Sequence, residues 1–293
     1  MKNENAQSAD LSARAHGQDA RVTVIPRRRS YALDTDGLRS IIADHAPRTR
    51  PQRGIIVLLA SMLVRPRSYE RLVHRLTKTF RVITIEPPGS GRASKLRRPW
   101  RFEDYADHLL RVLEQLDLRD VTLIGHSNSA AVAMIAGGSA KPAASRIARI
   151  VLADSVGGDP RHGFWRIGLA RLADGTIEPG FSMTALYDVF FNLIVHNENF
   201  LEEIDQAIHW DASKFAPRVR VPTLVSCGGL DLTFRPWCGF RLHELIPRSQ
   251  FVHFSRGSHD WLCTHPHEFA TMVECFVEQG ERKRRISAQI ATA

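Results

Sequence analysis

The stretch TLIGHSNSAAVAM, residues 122–134, passes from a run of strand-forming residues into a run of small, helix-compatible ones. VTLIG (121–125) reads as a buried strand and AAVAMIAGG as a helix, which leaves Ser127 on the turn between them. A serine on a tight strand-to-helix turn is pushed out above a sheet, where a substrate can reach it. Small neighbours are needed there, because strand and helix approach closely. The alternative is an ordinary serine at the start of a core helix. Gly-His-Ser-Asn-Ser does not decide the matter by itself, since the second glycine of the usual nucleophile turn is replaced by Ser129. The decision rests on what the rest of the chain supplies.

Outward from this stretch, short β-branched runs alternate with helical stretches. The runs are RVTVI (21–25), LRSIIA (38–43), GIIVLLA (54–60), RVITI (81–85), VTLIG (121–125), RIVLAD (149–154), PTLVSC (222–227) and QFVHF (250–254). Several are almost continuous in Val, Ile and Leu, the pattern of strands buried on both faces of a parallel sheet. Tyr105, Leu109, Val112, Leu113 and Leu116 recur at helical spacing and predict an amphipathic crossover helix. The first two runs have no helix between them and predict an antiparallel edge. The whole reads as an α/β fold with a mostly parallel eight-stranded sheet flanked by helices. Core segments at 21–155 and 219–280 enclose an insertion, 156–218, that contains no convincing strand. Helices are expected there over 162–173 and 182–209, with aromatics Phe164, Trp165, Phe181, Tyr187, Phe190, Phe191 and Trp210. At helical spacing such aromatics are more often core than pocket; facing a site, they would favour an apolar or aromatic group. Residues 1–20 read as a polar, disordered extension and 281–293 as a basic tail.

The chain of 293 residues is 43% hydrophobic, enough for a sizeable core, and carries a net charge of +9. Its basic residues cluster in separate connecting segments, a pattern typical of a solvated surface, though such a field would also suit an acidic partner. No nucleic-acid-binding motif accompanies them. The four cysteines show no CxxC spacing and read as reduced. No apolar run is long enough to span a bilayer and no signal core is present, so a soluble, cytoplasmic protein is expected.

A serine hydroxyl becomes a nucleophile only when an imidazole accepts its proton and a carboxylate orients that imidazole. VPTLVSCGGLD places Asp231 just past one buried strand, and QFVHFSRGSHDW places His259 just past the next. Loops at the carboxyl edge of a parallel sheet would bring both above Ser127. Asp154, at the end of the preceding strand, is the rival acid. Asp260 adjoins His259 and is expected to point elsewhere. His253, His259, His265 and His267 with Cys263 fit no zinc spacing, so no metal and no cofactor is expected.

These segments together resemble the α/β-hydrolase superfamily, in its bacterial form with a helical cap, over residues 22–278. RVITIEPPGSGRAS resembles the family's D-x-P-G-x-G-x-S segment, with Glu86 and Ala93 as departures and Gly89-Ser90-Gly91 as its turn. VPTLVSCGGLD resembles its acid segment, and GSHDWLCTHPHEF its histidine segment. The resemblance implies a Ser127–His259–Asp231 triad, in the family's order of serine, acid, histidine. It places the oxyanion hole at the backbone N–H groups of Met62 and Asn128, Asn128 acting through its backbone only. Here the chain departs: LLASMLV puts Ala60 and Ser61 where the family has His-Gly, and Ser129 where it has glycine. A misaimed donor at Met62 would alter reaction preference. Arg65 and Arg67, beside it, could draw a carboxylate or phosphate, or simply be solvated.

The implied activity is hydrolysis of an ester, thioester or amide of a small, apolar substrate through an acyl-enzyme. An acyltransferase fed by an acidic carrier protein or a CoA thioester is the second reading. A binding protein with a silent site is the third.

Overall fold

The computed structural model describes residues 28–47, 52–61, 64–158, 163–177 and 183–291. The extension 1–20, the expected strand 21–25, Met62 and Phe181 lie outside them. Eight strands form one sheet in the order β1-β2-β4-β3-β5-β6-β7-β8. They are β1 (Arg28–Thr35), β2 (Leu38–His45), β3 (Ile55–Leu59), β4 (Arg81–Glu86), β5 (Val121–His126), β6 (Ile147–Ala153), β7 (Thr223–Gly228) and β8 (Ser249–Phe254). Strands β3 to β8 are parallel, and the β1–β2 hairpin joins β4 antiparallel.

The antiparallel edge is as expected, but its outer strand is Arg28–Thr35, which no apolar run announces. Its residues are mostly exposed, so nothing selects a hydrophobic pattern. The available signal was the turn: Asp36 and Gly37 both take positive φ (55° and 77°), the conformation Asp-Gly favours in two-residue hairpins.

Helices cover both faces. On one, α1 (Glu70–Leu76) packs with the C-terminal helix α9 (Pro266–Ala291), and Leu72, Leu76, Phe269 and Val273 bury against Ile56 and Leu58. On the other lie α2 (Phe102–Gln115), α3 (Asn128–Gly137) and α7 (Pro236–Leu245). The basic run after residue 280 continues α9 to Ala291. Between β6 and β7 stand α4 (Phe164–Ile177), α5 (Met183–Val195) and α6 (Asn197–His209), three helices where the pattern predicts two, since the chain breaks at His196. Among the described residues no helix is long and apolar enough to cross a membrane.

The last of these three helices is fastened by polar groups. Asn199 Oδ1 accepts the Trp100 N–H at 3.1 Å, and its Nδ2 donates to Glu203 Oε1 and Tyr105 Oη, both at 2.6 Å. Tyr105 Oη–H also donates to Glu203 at 2.9 Å. No cation offsets the burial of Glu203, which pushes its carboxyl up to about 8 in spite of those two donors. A carboxyl that holds its proton more tightly when folded contributes stability below its ordinary value of 4.5, lost as pH rises through 8. Thermal melts from pH 5 to 9 should therefore show wild type losing stability across this range, and Glu203→Gln losing distinctly less.

Candidate active site

Ser127 sits between β5 and α3 with φ 57° and ψ −120°, a backbone region that L-residues enter only under constraint. Its N–H donates to the Ala153 carbonyl at 2.9 Å, and its carbonyl accepts from Ala130 N–H at 3.1 Å. Gly125 makes the turn possible: a Cβ there would lie 2.6 Å from both the Ala130 Cα and the Ser129 carbonyl oxygen. Ser129, standing where the family has glycine, is accommodated by its own hydroxyl. Its Oγ–H is shared between the carbonyls of Leu59 (2.8 Å) and His126 (2.9 Å), while Oγ accepts the His126 N–H at 3.0 Å. The side chain thus ties the end of β3 to the turn.

The loops after β7 and β8 bring Asp231 and His259 to this serine. His259 Nε2 lies 3.1 Å from Ser127 Oγ, and His259 Nδ1 lies 2.9 Å from Asp231 Oδ2. All three side chains are buried. Asp231 Oδ1 accepts the Phe234 N–H at 2.8 Å. Burial pushes the Asp231 carboxyl up, while His259 and the Phe234 N–H pull it back. Asp154, the rival acid, accepts the Gly228 N–H at 2.8 Å instead. Burial, and then the Asp231 charge beside it, push Asp154 well above the carboxylate range. Two neighbouring buried carboxyls do not both ionise cheaply, and the one beside His259 is the better placed to be charged. Asp260 points away, to Arg171 on α4 at 2.9 Å. Burial opposes its charge, but neighbouring positive charge, that of Arg171 first, outweighs it and holds it below its ordinary value. From the same helix, Asp174 accepts the N–H groups of Leu232 and Thr233 at 3.0 and 3.1 Å. One face of α4 therefore clamps the Asp231 loop and the residue after His259.

The sequence model of the Alpha/beta hydrolase family matches residues 56–272, a span holding all of these groups. The chain belongs to that family. Among solved members of the fold it is similar to a bromoperoxidase from Bacillus anthracis (22% identity, TM-score 0.70, 86% of this chain and 99% of that one). It is similar also to an esterase from Exiguobacterium antarcticum (16% identity, TM-score 0.70, 85% and 99%). A Mycobacterium phage D29 protein named "Putative non-heme haloperoxidase" is 29% identical over 118 residues, which span 39% of this chain and only 40% of that protein.

Other features of this α/β-hydrolase lie beyond what its motifs announce. Tyr69 Oη accepts the Ser61 N–H at 2.9 Å and lies 2.6 Å from His126 Nδ1, whose ring reaches the His259 carbonyl through Nε2 at 2.9 Å. The roles order themselves in one direction. His126 Nε2–H must donate to that carbonyl, so Nδ1 accepts the Tyr69 proton. Burial, reinforced by the neighbouring His259, drives His126 down to about 3 and keeps it neutral; burial likewise raises Tyr69 well above its ordinary range. This chain joins the loop after β3 to the histidine loop. His126 lay in view beside Ser127, but nothing in sequence spacing pairs it with Tyr69.

Arg65, which is buried, and Arg67, which is partly exposed, both pair with carboxylates. Arg65 Nε donates to Glu86 at 3.3 Å, its backbone N–H to Asp188 at 3.2 Å, and Arg67 Nε to Asp188 at 2.9 Å. Asp188 is fully buried on α5, so these charges bind the β3 loop to the insertion. The insertion's aromatics also divide unexpectedly: Trp165, Tyr187 and Phe190 are exposed, while Trp210 packs in the core against Phe102 and Phe215. Beside the β3 loop a small cavity of about 40 Å³ is lined by Ala60, Ser61, Ile85, Tyr105, Ser129 and Val132. Among the described residues no cluster of His, Cys, Asp or Glu is placed to hold a metal ion.

Tyr69→Phe would leave the Ser61 N–H and His126 Nδ1 buried without partners. Losing such bonds costs about 1–3 kcal/mol per unsatisfied group. Urea unfolding at neutral pH should show a destabilisation of that order, with the loss larger than for a phenylalanine substitution at half-exposed Tyr187.

Proposed function

We propose that the protein is a serine hydrolase that cleaves a small carboxylic ester through an acyl-enzyme on Ser127. The observation that carries this reading is the continuous line from Asp231 through His259 to Ser127, with spacings of 2.9 and 3.1 Å. Asp231 fixes the imidazole with its proton on Nδ1, which leaves the Nε2 lone pair for the serine proton. Ser127 Oγ attacks the ester carbonyl carbon as its proton passes to Nε2. The tetrahedral intermediate then collapses: the carbon–oxygen bond to the alcohol breaks, and the imidazolium returns the proton to the departing oxygen. Water repeats the sequence, giving its proton to His259 as it attacks the acyl carbon. The acid leaves, and Ser127 recovers its proton.

The oxyanion is held by the Asn128 N–H, which at the first position of α3 has no acceptor within the helix, and by the Met62 N–H. No cofactor enters these steps. Helices α4 to α6 (the insertion 156–218) serve as the cap over this edge, and residues 21–155 and 219–280 as the core.

Intact-mass analysis after treatment with a small fluorophosphonate should show one adduct on wild type and none on Ser127→Ala. Failure of wild type to label would overturn the reading. Asp231→Asn should lower ester turnover by roughly 10³–10⁴-fold, since the wrong imidazole tautomer is then favoured. A loss under tenfold would point to another acid, Asp154 first.

A further inference from the structure

Asn128 was expected to contribute its backbone alone, yet its side chain lies against the nucleophile. The residue is 3% exposed, and its Oδ1 is 3.2 Å from Ser127 Oγ. Its Nδ2 is buried with no partner among the described residues. His259 Nε2 stands 3.1 Å from the same hydroxyl, so two acceptors face one proton. When that proton is turned to His259, as attack requires, the carboxamide loses its one hydrogen bond. Turning the amide over lets Nδ2 donate to Oγ but moves the deficit to Oδ1. Among the described residues, a side chain with two donors and an acceptor makes a single bond in a buried place in either orientation. An apolar residue of the same shape would incur no such penalty.

We infer that the Asn128 carboxamide is a binding subsite for oxygen on the substrate's acyl group. The ligand class is an ester whose acyl chain carries a hydroxyl or oxo oxygen on its second or third carbon. The position follows from the geometry: the two amide atoms share one carbon, so the unmet atom is held beside the hydroxyl that attacks the carbonyl. An oxygen that reaches it must lie within a few bonds of the carbon under attack. A hydroxyl satisfies the amide in either orientation, and an oxo group satisfies Nδ2. The inference rests on the hydrolase reading for its place in catalysis, but it can be tested for binding without turnover.

The experiment compares methyl 3-hydroxybutanoate and methyl 3-oxobutanoate with methyl butanoate, which has the same chain length. Wild type should favour the oxygenated esters in kcat/KM by roughly tenfold or more, as sites built to bond a substrate oxygen do. Asn128→Leu and Asn128→Ala should reduce that ratio towards one, whatever happens to their absolute rates. An equal loss on all three esters would make the amide a general support of the oxyanion or of Ser127, and would overturn the subsite. So would an unchanged ratio. Fluorophosphonate labelling of each variant reports whether it is folded with a reactive serine. In parallel, binding of the same three esters to Ser127→Ala is followed by NMR titration, with Asn128→Leu added in the same background. Tighter binding of the oxygenated esters that disappears with Asn128→Leu supports the subsite even if wild type fails to label. No difference in binding, together with no difference in rate, removes it while leaving a labelled Ser127 untouched.

Discussion

The turn at Ser127 is the constraint on which the rest of the catalytic edge depends. A non-glycine residue at φ 57° and ψ −120° is held against its own preference at a cost of about 1–3 kcal/mol. The hold comes from both sides of the turn. The Ala153 carbonyl on the neighbouring strand fixes the Ser127 N–H, and Gly125 lets the helix close to a distance no Cβ would permit. Ser129 adds a third hold through the Leu59 carbonyl, so β3, β5 and β6 all grip one residue. With the serine fixed in this way, its oxygen has one direction to face, and the loops after β7 and β8 deliver their groups along it.

Much of this was legible in the chain because it rests on local pattern. Near-continuous Val, Ile and Leu marked the buried strands, the helical spacing of 105–116 marked α2, and the order of Ser127, Asp231 and His259 followed from strand ends. VPTLVSCGGLD resembles the family's acid segment, and the His259 hydrogen bond falls on Asp231 while Asp154 takes the Gly228 N–H. What escaped reading has two physical origins. An exposed edge strand such as β1 has no core face to write a periodicity into its sequence, and only the Asp36-Gly37 turn betrays it. The second origin is distance along the chain. Tyr69 with His126, or Arg67 with Asp188, are partners across tens of residues, and no spacing rule brings them together.

The substitutions around the β3 loop acquire a reason from the same contacts. Where the resemblance would put His-Gly, Ala60 and Ser61 stand, and the Ser61 N–H is tied down by Tyr69. The described residues on either side of Met62 are held by hydrogen bonds and charge. Arg65, Arg67 and Ser68 all reach Asp188, and Arg92 N–H reaches Glu86 at 3.0 Å; at the centre the Arg65–Glu86 pair is buried, while Arg67 stays partly exposed. Screening by salt acts weakly on buried pairs of this kind.

The two polar residues on α4 carry a consequence for how such a protein changes over evolutionary time. Inserted helices between two strands are natural modules, open to exchange because they leave the sheet intact. Arg171 and Asp174 remove that independence: one neutralises the carboxylate adjoining His259, and the other holds the loop that presents Asp231. A replacement insertion without both groups would take from Asp260 its Arg171 partner and from the Leu232 and Thr233 N–H groups their Asp174 acceptor. The insertion and the loops that carry Asp231 and His259 are therefore constrained to change together rather than as separate modules.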